Sequence, residues 1–268
     1  MMRYLILIIF ITSYLTSSLI AQDDPIYKIE WSKEKYYFGA GIGLLGADYY
    51  LLTKQNVITE AEVLKLDPLN LTSFERGAVY NNNQLSRDIS DQFRNFCLLF
   101  PLVTIASEKG KSEFASISVM YLETLLINTA ITSFSKVVVT RVRPFLYNEN
   151  IPISEKLNKD ANHSFFSGHV STVSAMSFFT ASVLSDLHPD SKYKWLWWTG
   201  AITLPGIAAF TRYDAGRHFI TDVLMGYGVG ALIGYYIPKL HKIQSDKIRL
   251  DVIPTQSSVS LSLKYTIS

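Results

Sequence analysis

The chain has 268 residues, of which 48% are hydrophobic and only 18% charged, with a formal net charge of +2. That composition is too apolar for a disordered chain and rich in apolar residues for a soluble one. So small a net charge gives no electrostatic case for nucleic acid. A single cysteine, Cys97, excludes an internal disulfide and a cysteine-based metal site.

The first 21 residues, MMRYLILIIFITSYLTSSLIA, place Arg3 ahead of an apolar stretch that ends in small residues. This is the pattern of a secretory signal peptide cut near Ala21, and it directs the chain to a cell envelope. Leu19 fits such a cleavage poorly, which leaves an uncleaved anchor as the alternative. A glycine-rich apolar run follows at 37–52. Residues 54–93 are polar, with Pro68, Asn70 and NNNQ, and read as a surface excursion with short helices. Apolar runs then recur at 96–107, interrupted by Pro101, and at 114–134, 170–187, 195–211 and 222–237. The tail differs: KIRLDV and SVSLSLKYTI alternate apolar and polar residues around Pro254-Thr255, the period of a β-hairpin. The expected fold is therefore all-α, a membrane-associated bundle of about six core helices with a short C-terminal β-hairpin. Its expected divisions are a signal peptide (1–21), an N-terminal helix and excursion (22–90), a helical core (91–245) and a hairpin tail (246–268).

GIGLLG (Gly41, Gly43, Gly46) matches the dinucleotide-binding G-x-G-x-x-G, but no βαβ alternation surrounds it. Small residues that let helices approach closely are the better reading. The same holds for Gly226, Gly230 and Gly234 on the last helix.

Three short segments carry chemistry. In KVVVTRVRP, Lys136 and Arg143 are seven residues apart, close to two helical turns, so both are expected on one helix face before Pro144 ends the run. The plain alternative is a basic helix end that satisfies its own carbonyls. In HSFFSGHVS, Ser167-Gly168-His169 opens an apolar helix, where a capping turn is the plain alternative. In TRYDAGRHFITD, Arg212 precedes His218 and Asp222, an i, i+4 pair in which the carboxylate can hold one ring nitrogen and leave the other free. A purely structural His–Asp pair is the plain alternative here. Each segment sits where an apolar run begins or ends, and in an up-down bundle these ends gather on one side. Three cations, two histidines, a carboxylate and a Ser-Gly amide turn then meet at one spot, an inventory suited to phosphate.

The three segments together resemble the type 2 phosphatidic acid phosphatase superfamily, with its signatures K-x6-R-P, P-S-G-H and S-R-x5-H-x3-D. The resemblance covers roughly 90–240, with Phe166 in place of the proline and Thr211 in place of the serine. It implies that Lys136, Arg143 and Arg212 hold the phosphate oxygens, and that Ser167 and the Gly168 amide complete the cradle. It implies that His218 attacks phosphorus to form a phosphohistidine, that Asp222 orients it, and that His169 protonates the leaving oxygen and later activates water. The implied substrate is a lipid phosphate or pyrophosphate, with no cofactor and no metal. The alternatives are a soluble periplasmic acid phosphatase, a vanadate haloperoxidase and a non-catalytic phosphate- or lipid-binding envelope protein. His163, Arg141, Arg217, Tyr147 and Asp214 are neighbours with no assigned role, and Glu123 and Asn128 are expected to face other helices because lipid exposure is costly. Only 114–134 is clearly long enough to span a bilayer. The loops SEKGKS and LHPDSKYK, with Lys239, Lys242 and Lys247, are lysine-bearing and lie opposite the site. By the positive-inside tendency the site is expected to face the periplasm or outside.

Overall fold

A computed structural model describes residues 24–243, and the backbone of 248–254 and 259–265. The expected signal peptide lies outside the described residues. Ten α-helices occur among the described residues. The six long ones are α1 (Trp31–Leu52), α2 (Gln84–Cys97), α3 (Phe114–Val139), α4 (Gly168–Leu187), α5 (Lys194–Asp214) and α6 (Ile220–His241).

α4 is the centre of the bundle, packed on α6, α5 and α3. Phe179, Val183 and Leu187 of α4 bury against Met120 of α3 and Ile237 of α6. Glycine spacing sets how closely α4 and α6 approach. A Cβ at Gly226, Gly230 or Gly234 would fall 2.6, 2.2 and 2.2 Å from the carbonyl oxygens of Ser167, Ser171 and Ala175. This stripe lays one backbone directly on the other and brings the start of α4 beside the start of α6. The GIGLLG glycines divide: Gly41 abuts Leu126 of α3, whereas Gly43 and Gly46 meet nothing within 4 Å.

Three departures from the sequence reading have physical causes. The run at 96–107 forms a 3-10 turn, Phe100–Ala106, because Pro101 supplies no amide donor. The bundle helix there is α2, inside the stretch read as a polar excursion, and the Asn83 side chain caps it by accepting from the Ser86 amide. α2 is turned inside out: Leu85, Ile89 and Phe96 are exposed while Ser86 and Ser90 are buried. Finally, α3 stops at Val139, where Thr140 adopts φ 46° and ψ 44°, a left-handed helix end. Arg143 is therefore extended, not helical, and does not share a helix face with Lys136.

Three segments, Phe114–Tyr147 with α3 at its core, Gly168–Leu187 and Ile220–His241, are long and apolar enough to cross a membrane, where the sequence reading counted one. α4 is largely enclosed by its neighbours, while α3 and α6 expose much of their apolar surface. This supports association with a membrane. In the tail, Ile248–Pro254 pairs antiparallel with Val259–Tyr265. The connecting turn of the expected hairpin, 255–258, lies outside the described residues, and the hairpin is not part of the supported fold.

Candidate active site

The ends of α3, α4, α5 and α6 enclose a cavity of about 430 Å3, walled on one side by α2. Lys136, Arg143, Gly168, His169, Arg212 and His218 all line it. The first amides of α4 have no intrahelical acceptor, and the helix dipole adds positive potential there. Ser167 precedes them, fully buried, and its Oγ has no hydrogen-bond partner among the described residues. Gly168 is tight as well, since a Cβ there would meet Thr132 at 3.2 Å and the Lys136 ammonium at 3.6 Å.

Arg143 is fixed by Nε donating to the Asp160 carbonyl (2.9 Å) and Nη1 donating to the Arg217 carbonyl (3.3 Å). Arg212 donates from Nη1 to Ser90 Oγ (2.9 Å) and Asp91 Oδ1 (3.3 Å), while its buried Nε has no partner among the described residues. Both guanidiniums are thus held from behind. Burial, then the charge of Arg143, pushes Arg212 down to about 9. A guanidinium does not lose its proton in a protein, so the shift expresses burial together with like-charge crowding, both of which an anion would offset.

His218 is 1% exposed, and its Nδ1 lies 2.8 Å from the Ser164 carbonyl. A carbonyl can only accept, so Nδ1 carries the proton and the Nε2 lone pair is free. Burial first, and then the charges of Arg143, Arg212 and Lys136, hold the imidazole well below its ordinary pKa. It is neutral at physiological pH.

Asp222 does not make the expected hydrogen bond to the ring. Its Oδ2 is 3.9 Å from His218 Nδ1, and it accepts instead from Ser164 Oγ (2.5 Å) and the Phe219 amide (2.9 Å). Its Oδ1 pairs with Arg141 at 2.6 Å. Asp222 therefore caps α6 and fixes Ser164, whose backbone carbonyl orients His218. The i, i+4 spacing brought the two side chains close, but the cap competed for the carboxylate.

His169 is the second imidazole. Its Nε2 lies 2.6 Å from Asp91 Oδ1 and 3.1 Å from Arg94 Nη1. A protonated Nε2 donates to the carboxylate, and a bare one accepts from the guanidinium, so both protonation states have a partner. Asp91 sits below the ordinary carboxylate range: burial raises it, but the hydrogen bond to His169 and the charges of His169, Arg212 and Arg94 outweigh burial.

Of the neighbours left unassigned, Arg217 lines the cavity, stacked over Phe145. Arg141 binds Glu75 and Asp222 instead. His163 contacts Gln55 at a separate cavity, Asp214 accepts from Ser86, and Tyr147 packs edge-on against Phe219. Asn128 and Glu123 are buried, the former accepting from Ser171. Sequence reasoning missed Arg87, Asp91 and Arg94 of α2 and Asp160 of the α3–α4 connection, which all line the cavity. The i, i+4, i+7 spacing of the first three was the available signal.

Residues 118–245 match the family model of the PAP2 superfamily. The chain is 24% identical over 127 residues to the lipid A 4'-phosphatase of Porphyromonas gingivalis, covering 47% of this chain and 50% of that protein. It thus spans about half the length of the curated relative it matches. A solved structure, the transmembrane PAP2 type phosphatidylglycerolphosphate phosphatase from Bacillus subtilis, is 20% identical, with a TM-score of 0.45 over 75% of this chain and 94% of that one. All the cavity residues from Lys136 to His218 fall within 118–245, the segment that matches the PAP2 superfamily.

Proposed function

We propose that the cavity is the active site of a phosphatase that hydrolyses a phosphomonoester or pyrophosphate of a lipid through a phosphohistidine, without a metal. The observation that carries this reading is His218: neutral, oriented through Nδ1, and facing a cavity lined by Lys136, Arg143 and Arg212. Nε2 attacks phosphorus, a P–N bond forms and the P–O bond to the leaving group breaks. His169 gives its proton to the departing oxygen. Water then attacks the phosphohistidine and passes a proton to His169, releasing phosphate and restoring His218. Lys136, Arg143, Arg212 and the amides at the start of α4 stabilise the charge on the phosphoryl oxygens. The cavity carboxylates Asp91 and Asp160 are committed to His169, Arg212 and Arg143, not gathered as a metal site.

A lipid substrate is supported by the family and by the name of the Porphyromonas gingivalis relative. It is also supported by the exposed apolar side chains Leu122, Ile202, Phe210, Leu224 and Leu232 on the helices around the site, which disfavour a freely soluble form. Purified protein in detergent is expected to hydrolyse an aryl phosphate and lipid phosphates, to keep full activity after brief exposure to chelator, and to be inhibited by vanadate. Loss of activity in chelator that Mg2+ restores would overturn the mechanism.

The site is proposed to face away from the cytoplasm, because Lys109, Lys111, Lys192 and Lys239 lie toward the opposite helix ends. In a Cys97→Ser background, a membrane-impermeant thiol reagent applied to cells with a permeabilised outer membrane should label Asn150→Cys and not Lys192→Cys. The reverse pattern refutes this orientation.

A further inference from the structure

A second group of titratable side chains lies at the other end of the bundle and takes no part in this chemistry. Glu34 is in the first turn of α1, Glu123 in the third turn of α3, and His241 closes α6. The nineteen positions from Asp222 to His241 put the cluster roughly 29 Å along α6 from the cavity. All three residues are buried, at 1%, 0% and 5% exposure.

His241 Nδ1 lies 2.8 Å from the Ile237 carbonyl, so Nδ1 donates and Nε2 points elsewhere. It points at two carboxylates: Glu34 Oε1 at 3.1 Å and Glu123 Oε2 at 3.3 Å. A bare lone pair aimed at two carboxylate oxygens is repulsive unless a proton or a metal ion sits between them. One proton on Nε2 is a poor answer. Glu34 Oε2 and both oxygens of Glu123 have no hydrogen-bond partner among the described residues, and one proton leaves them unsatisfied in the protein interior.

A divalent ion neutralises both carboxylates at once. Metal bonds of about 2.0–2.1 Å in a tetrahedral site put neighbouring donor atoms about 3.3 Å apart, close to the two separations found here. The three donor atoms all lie within 4.8 Å of one another. A histidine whose far nitrogen donates to a backbone carbonyl is the usual arrangement for a metal ligand. A cavity of about 440 Å3, lined by Glu34, Tyr37 and His241, gives an entry path. The lysines at its mouth are matched by acids: Lys28 and Lys33 by Glu30, Lys239 and Lys242 by Asp186.

We propose that His241 Nε2, Glu34 and Glu123 bind one divalent transition-metal ion, zinc by donor set, as a structural clamp. The clamp ties α1, which precedes the PAP2 segment, to α3 and α6 within it. It is distinct from the phosphatase reaction, and its readouts are metal content and unfolding, not turnover.

Elemental analysis of the purified full chain should find about one zinc per chain. Prolonged chelation should lower the unfolding temperature, and zinc alone should restore it. Glu123→Gln and His241→Ala should lose the metal, while His218→Ala keeps it. Cobalt(II) bound to the chelated wild-type chain should show the visible absorption of a four-coordinate site, made by the three side chains and one water, a measurement that needs no variant to fold. A metal-free chain whose unfolding temperature zinc does not raise would overturn the proposal in favour of a proton-held cluster. Loss of zinc in His218→Ala with retention in His241→Ala would place the ion elsewhere and overturn it equally.

Discussion

Replacing Gly230 by alanine tests whether the α4–α6 contact builds the site. The new Cβ would stand 2.2 Å from the Ser171 carbonyl oxygen and 2.8 Å from Ser174 Cβ. Neither neighbour is a flexible side-chain tip, so the helices must part by about 1 Å to reach ordinary contact. Overpacking of this kind costs ~1–3 kcal/mol, and a clash with backbone belongs at the upper end. Alanine returns ~1 kcal/mol through its helix propensity. The net expectation is a loss of about 2 kcal/mol. Gly228 is the internal control: it lies on the same helix with nothing within 4 Å, so Gly228→Ala should be neutral or stabilising by up to ~1 kcal/mol. The separation also matters for chemistry, because α4 carries Gly168 and His169 while His218 immediately precedes α6. A misplacement of ~1 Å can cost about 100-fold in rate. Denaturant unfolding in detergent and kcat on an aryl phosphate measure the two effects. If Gly230→Ala unfolds with Gly228→Ala and turns over like wild type, the glycine stripe does not set the geometry of the site.

Three further outcomes follow from the two imidazoles. His218→Ala should form no phosphoenzyme, whereas His169→Ala should accumulate phosphohistidine from nitrophenyl phosphate, whose leaving group needs little protonation; acid-free quenching and mass spectrometry would show the roles reversed if phosphate appears on His169 in the first variant. Asp91→Asn should slow an alkyl phosphate about 10- to 100-fold and an aryl phosphate much less, because the carboxylate supports the protonated His169; equal losses on both would assign Asp91 a merely structural role. Because the folded pKa of His218 lies below its unfolded value near 6.5, the unfolded chain binds the extra proton as pH falls, and stability is lost below about pH 6.5 by up to ~1.4 kcal/mol per pH unit. His218→Asn should flatten that slope by one proton, and an unchanged slope would refute a buried neutral His218.

The parts of the site that were legible from sequence are those whose chemistry lies in short spacings. Lys136, the Ser167-Gly168-His169 step, Arg212 and His218 converge because each sits at a helix end, and helix ends are readable from apolar runs. The glycine row of α6 was readable for the same reason: four-residue spacing survives folding as a face. Arg143 reached the expected cavity by a different route, because a left-handed Thr140 overrode the helix that its spacing suggested. α2 was hidden by its inverted polarity. Polar residues normally mark a solvated face, but here Arg87, Asp91 and Arg94 turn toward the cavity while Leu85 and Phe96 turn outward. The link from Asp222 through Ser164 to His218 was out of reach, since it depends on a backbone carbonyl fifty-four residues away in sequence.

The cavity is costly to the fold, and that cost explains the arrangement behind it. Among the described residues, Arg87, Arg94, Lys136, Arg143, Arg212 and Arg217 face only two carboxylates, Asp91 and Asp160. Burial and the neighbouring guanidiniums push Arg217 down to about 10, as they do Arg212 to about 9. The two acids stand beside the cations they hold: Asp160 supports Arg143 from the α3–α4 connection, and Asp91 supports Arg212 and His169 from α2. Neither caps the Nε of Arg212 or the hydroxyl of Ser167, which have no partner among the described residues. In the proposed mechanism, more carboxylates in the cavity would make a more stable resting protein and a weaker catalyst, because they would offset in advance the charge that a phosphoryl group must meet. Donors fixed from behind and unmatched in front need no reorganisation when an anion arrives, and they act most strongly where its charge is greatest. The same logic places α2 beside the cavity although it precedes the PAP2 segment: its Asp91 holds His169, the acid of the proposed mechanism, through a carboxylate.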